Sequence, residues 1–131
     1  MKYPKYLDRE VYKRTVSVAA SYYTDKARLQ DLEQLILFPS KQEGPGGGGI
    51  GNPTAVQAER LIKYTGKIRE RIEAVDKTLE LFDRGQQSFI RQNLFSGVKI
   101  SYCNTEKSER TCQRLRHDFL VALAFNLGEI F

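Results

Sequence analysis

The chain contains a single histidine and two cysteines, and it has no long apolar run. Catalysis needs convergent groups with tuned proton affinities. The lone histidine, His117, has no serine, cysteine or carboxylate placed beside it by a recognisable motif. Two cysteines, Cys103 and Cys112, are too few for a disulfide framework. With His117 they would make three zinc ligands, but their spacing matches no zinc signature and a fourth ligand is missing. Cys112 reads instead as a small core residue. The longest apolar-leaning stretch, Phe119 to Leu127, is too short to span a bilayer. No apolar segment follows a basic start, so no signal peptide is expected. These absences lead us to expect a non-enzymatic cytoplasmic protein with no cofactor, metal, membrane contact or small-molecule substrate.

What is present suits a folded helical protein. The 131 residues are 40% hydrophobic and 28% charged, enough apolar material for a core. The net charge is +5, and it is confined. Between Arg84 and His117 stand seven basic residues (Arg84, Arg91, Lys99, Lys107, Arg110, Arg114, Arg116) against two acidic ones (Glu106, Glu109), a local excess of +5. The remainder of the chain is therefore neutral. A basic patch of this kind is the electrostatic footprint of a polyanion binder, though a solvated basic surface has the same composition.

Helical periodicity runs from Leu7 to about Leu37, with Leu7, Val11, Val18, Tyr22, Leu29, Leu32 and Ile36 on one stripe. Ser21 to Thr24 marks a bend, so one helix or two fit equally. Pro39 lies beyond the stripe, where a helix cannot extend far. The run Gly44-Pro45-Gly46-Gly47-Gly48-Gly49-Ile50-Gly51 reads as a connector. A phosphate-cradling loop would need Gly-Lys-Ser/Thr after it and a strand before it, and neither is there. Asn52-Pro53 reads as a helix start, and the helix is expected to run to about Phe82. Its stripe is Leu61, Ile68, Ile72, Val75, Leu79 and Phe82, a heptad seam, with Lys67, Arg69, Glu70, Glu73, Asp76, Lys77 and Glu80 on the other face. The Tyr22-Tyr23 pair reads as packing.

The Asp83-Arg84-Gly85 break is followed by a short helix, Gln86 to Phe95, and a turn at Ser96-Gly97. Val98 to Tyr102 is either extended or a single helical turn. Ser108 is the expected N-cap of a last helix, Glu109 to about Leu127, stopped by Gly128. The fold class expected is all-α: a long antiparallel helical hairpin over 1–84, with its glycine-rich loop at about 39–53, and a helix-turn-helix-like module over 85–131.

On a helical wheel, Cys112, Leu115, Phe119, Ala122 and Leu123 share one side of the last helix. Arg110, Gln113, Arg114 and His117 share the other. Arginine grips guanine edges or phosphate and glutamine pairs with adenine, and recognition helices meet base edges near their N-terminal end. Arg116 on the flank, Lys107 before the helix and Lys99 in the preceding loop suit phosphates. A plain amphipathic surface helix would show the same pattern. Further along, Leu120, Val121, Ala124 and Phe125 make the helix apolar all round, so that half is expected to be buried.

The long first helix, the loop GPGGGGIGNPT (Gly44–Thr54), the heptad helix after it and the segment SERTCQRLRHDFLVALAFNLG (Ser108–Gly128) together resemble the RinA/ArpU-like family of phage late-gene transcription regulators. The resemblance covers nearly the whole chain. It implies binding of double-stranded DNA by a C-terminal sigma-like helix-turn-helix and activation of packaging or lysis genes. A two-helix hairpin needs a further cover, either the C-terminal module or a second copy in a homodimer through the long helices, and RNA polymerase is a further partner expected of such a regulator. By position, Ser108 would cap the recognition helix, Arg110, Arg114 and His117 would face DNA, and Ala122, Ala124 and Leu127 would pack. The chain departs from the family where the first helix of that motif belongs, since Lys99 to Thr105 is short and polar. Two other readings fit a helical protein of this kind: a phage packaging or assembly adaptor, such as a small terminase-like oligomer, and a protein-binding inhibitor.

Overall fold

A computed structural model describes residues 7–37 and 55–130. The glycine run, the Asn52-Pro53 cap and Pro39 lie outside these described residues. All regular structure among them is helical: α1 (Arg9–Ala20), α2 (Tyr22–Leu37), α3 (Ala55–Leu79), α4 (Arg84–Ile90) and α5 (Glu109–Asn126).

The N-terminal periodicity is shared by two helices. The break falls at Ser21, whose single hydroxyl proton is shared between the Val18 carbonyl at 3.0 Å and the Asp25 carboxylate at 3.1 Å. A side chain that bonds locally in this way offers the backbone an alternative to straight continuation. α3 ends at Leu79, sooner than its stripe predicts. Leu81 and Phe82 close tight turns onto the carbonyls of Thr78 and Leu79, and the Gln87 amide donates to the Leu79 and Phe82 carbonyls at 2.9 Å each. Asp83 then starts α4 two residues earlier than expected through a reciprocal capping box with Gln86, at 2.8 and 2.9 Å.

α4 runs on as one π-helical turn, Arg91–Phe95, which ends where Gly97 takes a left-handed φ of 71°. Ile100–Tyr102 forms a single 3-10 turn, so the helical alternative for this stretch is the one adopted. At the far end, Gly128 at φ 78° closes α5 with a Schellman motif. Its own amide bonds Phe125 at 3.0 Å and the Glu129 amide bonds Ala124 at 2.9 Å.

α3 is the central element and packs against α2 and α5. Its heptad seam is inward: Ile68, Ile72, Val75 and Leu79 are buried, and Leu61 and Phe82 are half-buried. Polar pairs line the α2–α3 contact. The Tyr22 hydroxyl donates to Asp76, Arg71 donates to Asp25 at 3.2 Å, and Arg28 donates to the Tyr64 hydroxyl at 3.2 Å. Arg69 adds an ion pair to Glu33 at 2.9 Å. Asp76, assigned to the outer face by periodicity, is thus drawn in by Tyr22.

One buried cluster takes residues from α1 to α5, including Ala19, Tyr22, Ile68, Val75, Phe89, Phe95, Leu115 and Phe119. Phe119 brings α5 into its aromatic contacts, with ring centroids 5.8 Å from Phe82 and 6.2 Å from Phe95. Tyr22 packs against Phe95 at 4.7 Å and Tyr23 stands edge-on to both, which accounts for the tyrosine pair as packing. The second half of α5 is buried on every side from Phe119 to Ala124. No helix among the described residues is long and apolar enough to cross a membrane.

Candidate nucleic-acid interface

α5 begins at Ser108, whose hydroxyl oxygen accepts from the Thr111 amide at 3.2 Å and satisfies one orphan donor of the first turn. Glu109 follows, an acidic residue where the helix dipole favours one. The cap sets the helical phase of everything after it. Cys112 and Leu115 turn inward and are buried, and Phe119 fixes the rod one turn later. By that same phase Arg110, Gln113 and Arg114 turn outward and are exposed. These three are the expected site residues that the fold leaves in solvent together on α5.

Two others are held more closely. Arg116 is half-buried and donates to the Tyr12 hydroxyl of α1, with its guanidinium over the tyrosine ring at 5.6 Å from the centroid. Its charge is still present at the surface, but the side chain is committed to a joint between α1 and α5. His117 is also half-buried.

Lys99 and Lys107 are exposed and belong to the loop before α5. Side chains from the π-helical turn hold that loop. Asn93 donates its amide to the Val98 carbonyl at 2.9 Å, and the Gln92 side-chain oxygen accepts from the Asn104 amide at 2.8 Å. The backbone of Gln92 adds a third tie, accepting from Val98 at 2.9 Å. Ile100 packs against the core and Cys103 is buried beneath the loop. Burial, and then the neighbouring Cys112, pushes the Cys103 thiol up from its ordinary value. Both cysteines are free, and among the described residues no three metal-ligating side chains converge.

Chemically α5 offers two exposed guanidinium groups and one amide, and the loop before it two ammonium groups, with the carboxylates of Glu106 and Glu109 exposed among them. The segment is rich in donors and carries a net positive charge. Tyr12, Gln92 and Asn93 are the parts that periodicity misses. No sequence signal marks Tyr12, because its partner lies 104 residues away. No protein-family model, no curated protein and no solved structure matches this chain.

Proposed function

We propose that the protein is a non-enzymatic, DNA-binding transcription regulator of phage origin that acts in the bacterial cytoplasm on late, packaging or lysis genes. In this reading α4, the turn after it and α5 serve as a helix-turn-helix-like reader, and α2 and α3 serve as a helical hairpin that carries it. One observation carries the proposal: Arg110, Gln113 and Arg114 stand exposed on the first half of a helix whose second half is buried. A rigidly held donor face near a helix N-terminus is what base-edge reading requires. Lys99 and Lys107, both exposed, would grip phosphate. RNA polymerase is the further partner this reading implies.

The test is binding of a labelled mixed-sequence DNA duplex of about 30 base pairs across a salt series, where every phosphate neutralised by a cation adds roughly 0.9 to the steepness of the log–log plot. Replacing Arg110 and Arg114 together with alanine is expected to weaken binding and to flatten the slope. If the native protein binds no duplex at low salt, the reading is wrong.

A second reading, an oligomeric packaging adaptor, draws support from the long helices. Val56 and Ile62 on α3 are 57% and 58% exposed, while Leu29, Leu32 and Leu61 stay half-buried. Light scattering separates the two: a ring of many copies favours the adaptor, a monomer or a dimer through the long helices the regulator.

A further inference from the structure

Tyr102 is 77% exposed, at the end of the 3-10 turn that precedes α5. An isolated exposed aromatic is ordinary on a protein surface. What distinguishes this one is how firmly its backbone is held. Its own amide bonds the Lys99 carbonyl at 2.9 Å, and the next amide, of Cys103, bonds Ile100 at 3.1 Å. Cys103 is buried directly after it, and the Asn104 amide is held by Gln92 at 2.8 Å. On the other side Ile100 is tucked against the core and Val98 is bonded by both Gln92 and Asn93. The loop is thus tied down around a tyrosine that gains almost no burial from the arrangement. The backbone beneath such a side chain has little freedom left to lose when it meets a partner, which is the advantage of a preorganised contact.

The surroundings select the partner. Lys99 and Lys107 are exposed on the same loop, and Ser101, beside the tyrosine, is exposed too. The one acidic residue of the loop, Glu106, is exposed next to Lys107. In sequence the tyrosine lies between Lys99 and Lys107, and the loop carries these two ammonium groups against the one carboxylate of Glu106, so it presents hydrogen-bond donors with a net positive charge. That chemistry suits the phosphate oxygens of a nucleic-acid strand, to which tyrosine hydroxyls donate. It suits an apolar protein groove poorly.

We infer that Tyr102 is a DNA-backbone contact, its hydroxyl donating to a phosphate oxygen of the duplex read by α5. The inference rests on the DNA-binding reading and extends its surface from α5 to the preceding loop. Tyrosine is neutral, so this bond releases no counterion, and that gives it a signature different from any lysine or arginine.

The experiment uses the full chain and the same labelled duplex of about 30 base pairs. Tyr102→Ala and Tyr102→Phe are each expected to weaken binding by about fivefold, because both remove the hydroxyl. The slope of log affinity against log salt stays at its native value. Lys99→Ala, as the comparison, lowers that slope by roughly 0.9. Melting curves of the two tyrosine variants should overlay the native one, since the side chain stands mostly in solvent. Native affinity in Tyr102→Phe overturns the assignment, and so does a changed salt slope in Tyr102→Ala. If the native protein and the Arg110/Arg114 variant behave as proposed above while Tyr102→Phe binds normally, only this inference fails. If the native protein binds no duplex, the reading of α5 fails and takes this one with it.

Discussion

Arg116 and Tyr12 meet across the α1–α5 joint, guanidinium over ring and nitrogen to hydroxyl, although they are 104 positions apart in the chain. The contact turns one cation of the basic segment into a fastener. It also brings α1 against the helix that carries the proposed interface.

That pairing predicts coupled behaviour. Tyr12→Ala and Arg116→Ala should each destabilise modestly, and the double variant should be less destabilised than their sum. A coupling of about 0.5–1 kcal/mol is expected from a cation–ring contact near the surface. Urea unfolding of the four proteins measures it. Strict additivity would mean that the two side chains act independently. In DNA binding, Arg116→Ala should flatten the salt slope less than Arg114→Ala, whose side chain is exposed.

Phe119 is fully buried and touches Phe82 and Phe95. Phe119→Ala removes the ring through which α5 meets the turn after α3 and the π-helical turn. The expected loss is about 3–5 kcal/mol, a large part of a small domain's stability. The denaturant midpoint should fall sharply. A midpoint within error of the native protein would show that the cluster does not hold α5.

Tyr22 titrates above its ordinary 10.0, first because it is buried and second because its hydroxyl donates to Asp76. Burial and the bond both favour the protonated phenol. The folded state therefore holds this proton more tightly than the unfolded state. The resulting stability is complete below pH 10 and is lost as pH rises through the higher folded value. Tyr22→Phe should therefore decline in stability less steeply with rising alkaline pH than the native chain. Parallel urea midpoints measured from pH 9 upward for the two proteins would contradict this.

Cys103 and Cys112 are both free and buried, and the Cys103 thiol is pushed up by that burial. Thiolate is the reactive form, so a disulfide-exchange reagent at neutral pH should modify the folded protein at least about tenfold more slowly than the urea-unfolded one. Rapid native reaction at Cys112 would mean that the start of α5 opens readily.

Several parts of this arrangement are legible locally. Ser108 as a cap, the turn at Gly97, the stop at Gly128, and the inward stripe Cys112, Leu115, Phe119 all follow from residues within two turns of one another. The same holds for the outward phase of Arg110, Gln113 and Arg114. Buried polar residues escape such reasoning. Thr15, Thr65 and Thr78 are buried because each hydroxyl returns to a carbonyl four residues back, at 2.7, 2.7 and 2.6 Å. Asp25 is only 2% exposed, a position no charge pattern forecasts, and it is tolerable because Arg71 and the Ser21 hydroxyl reach it.

Helix periods, caps and the concentration of positive charge between Arg84 and His117 were decided by the amino-acid order alone, since each depends on neighbours a few residues away. Which cations stay at liberty was decided only when distant elements met. Arg116 and Arg114 are equivalent in composition, but α1 offers a tyrosine to one of them. The exposure of Tyr102 has a nearer origin: Gln92 and Asn93, five to twelve residues from their partners, brace the loop at Asn104 and Val98 and leave the tyrosine between them outward.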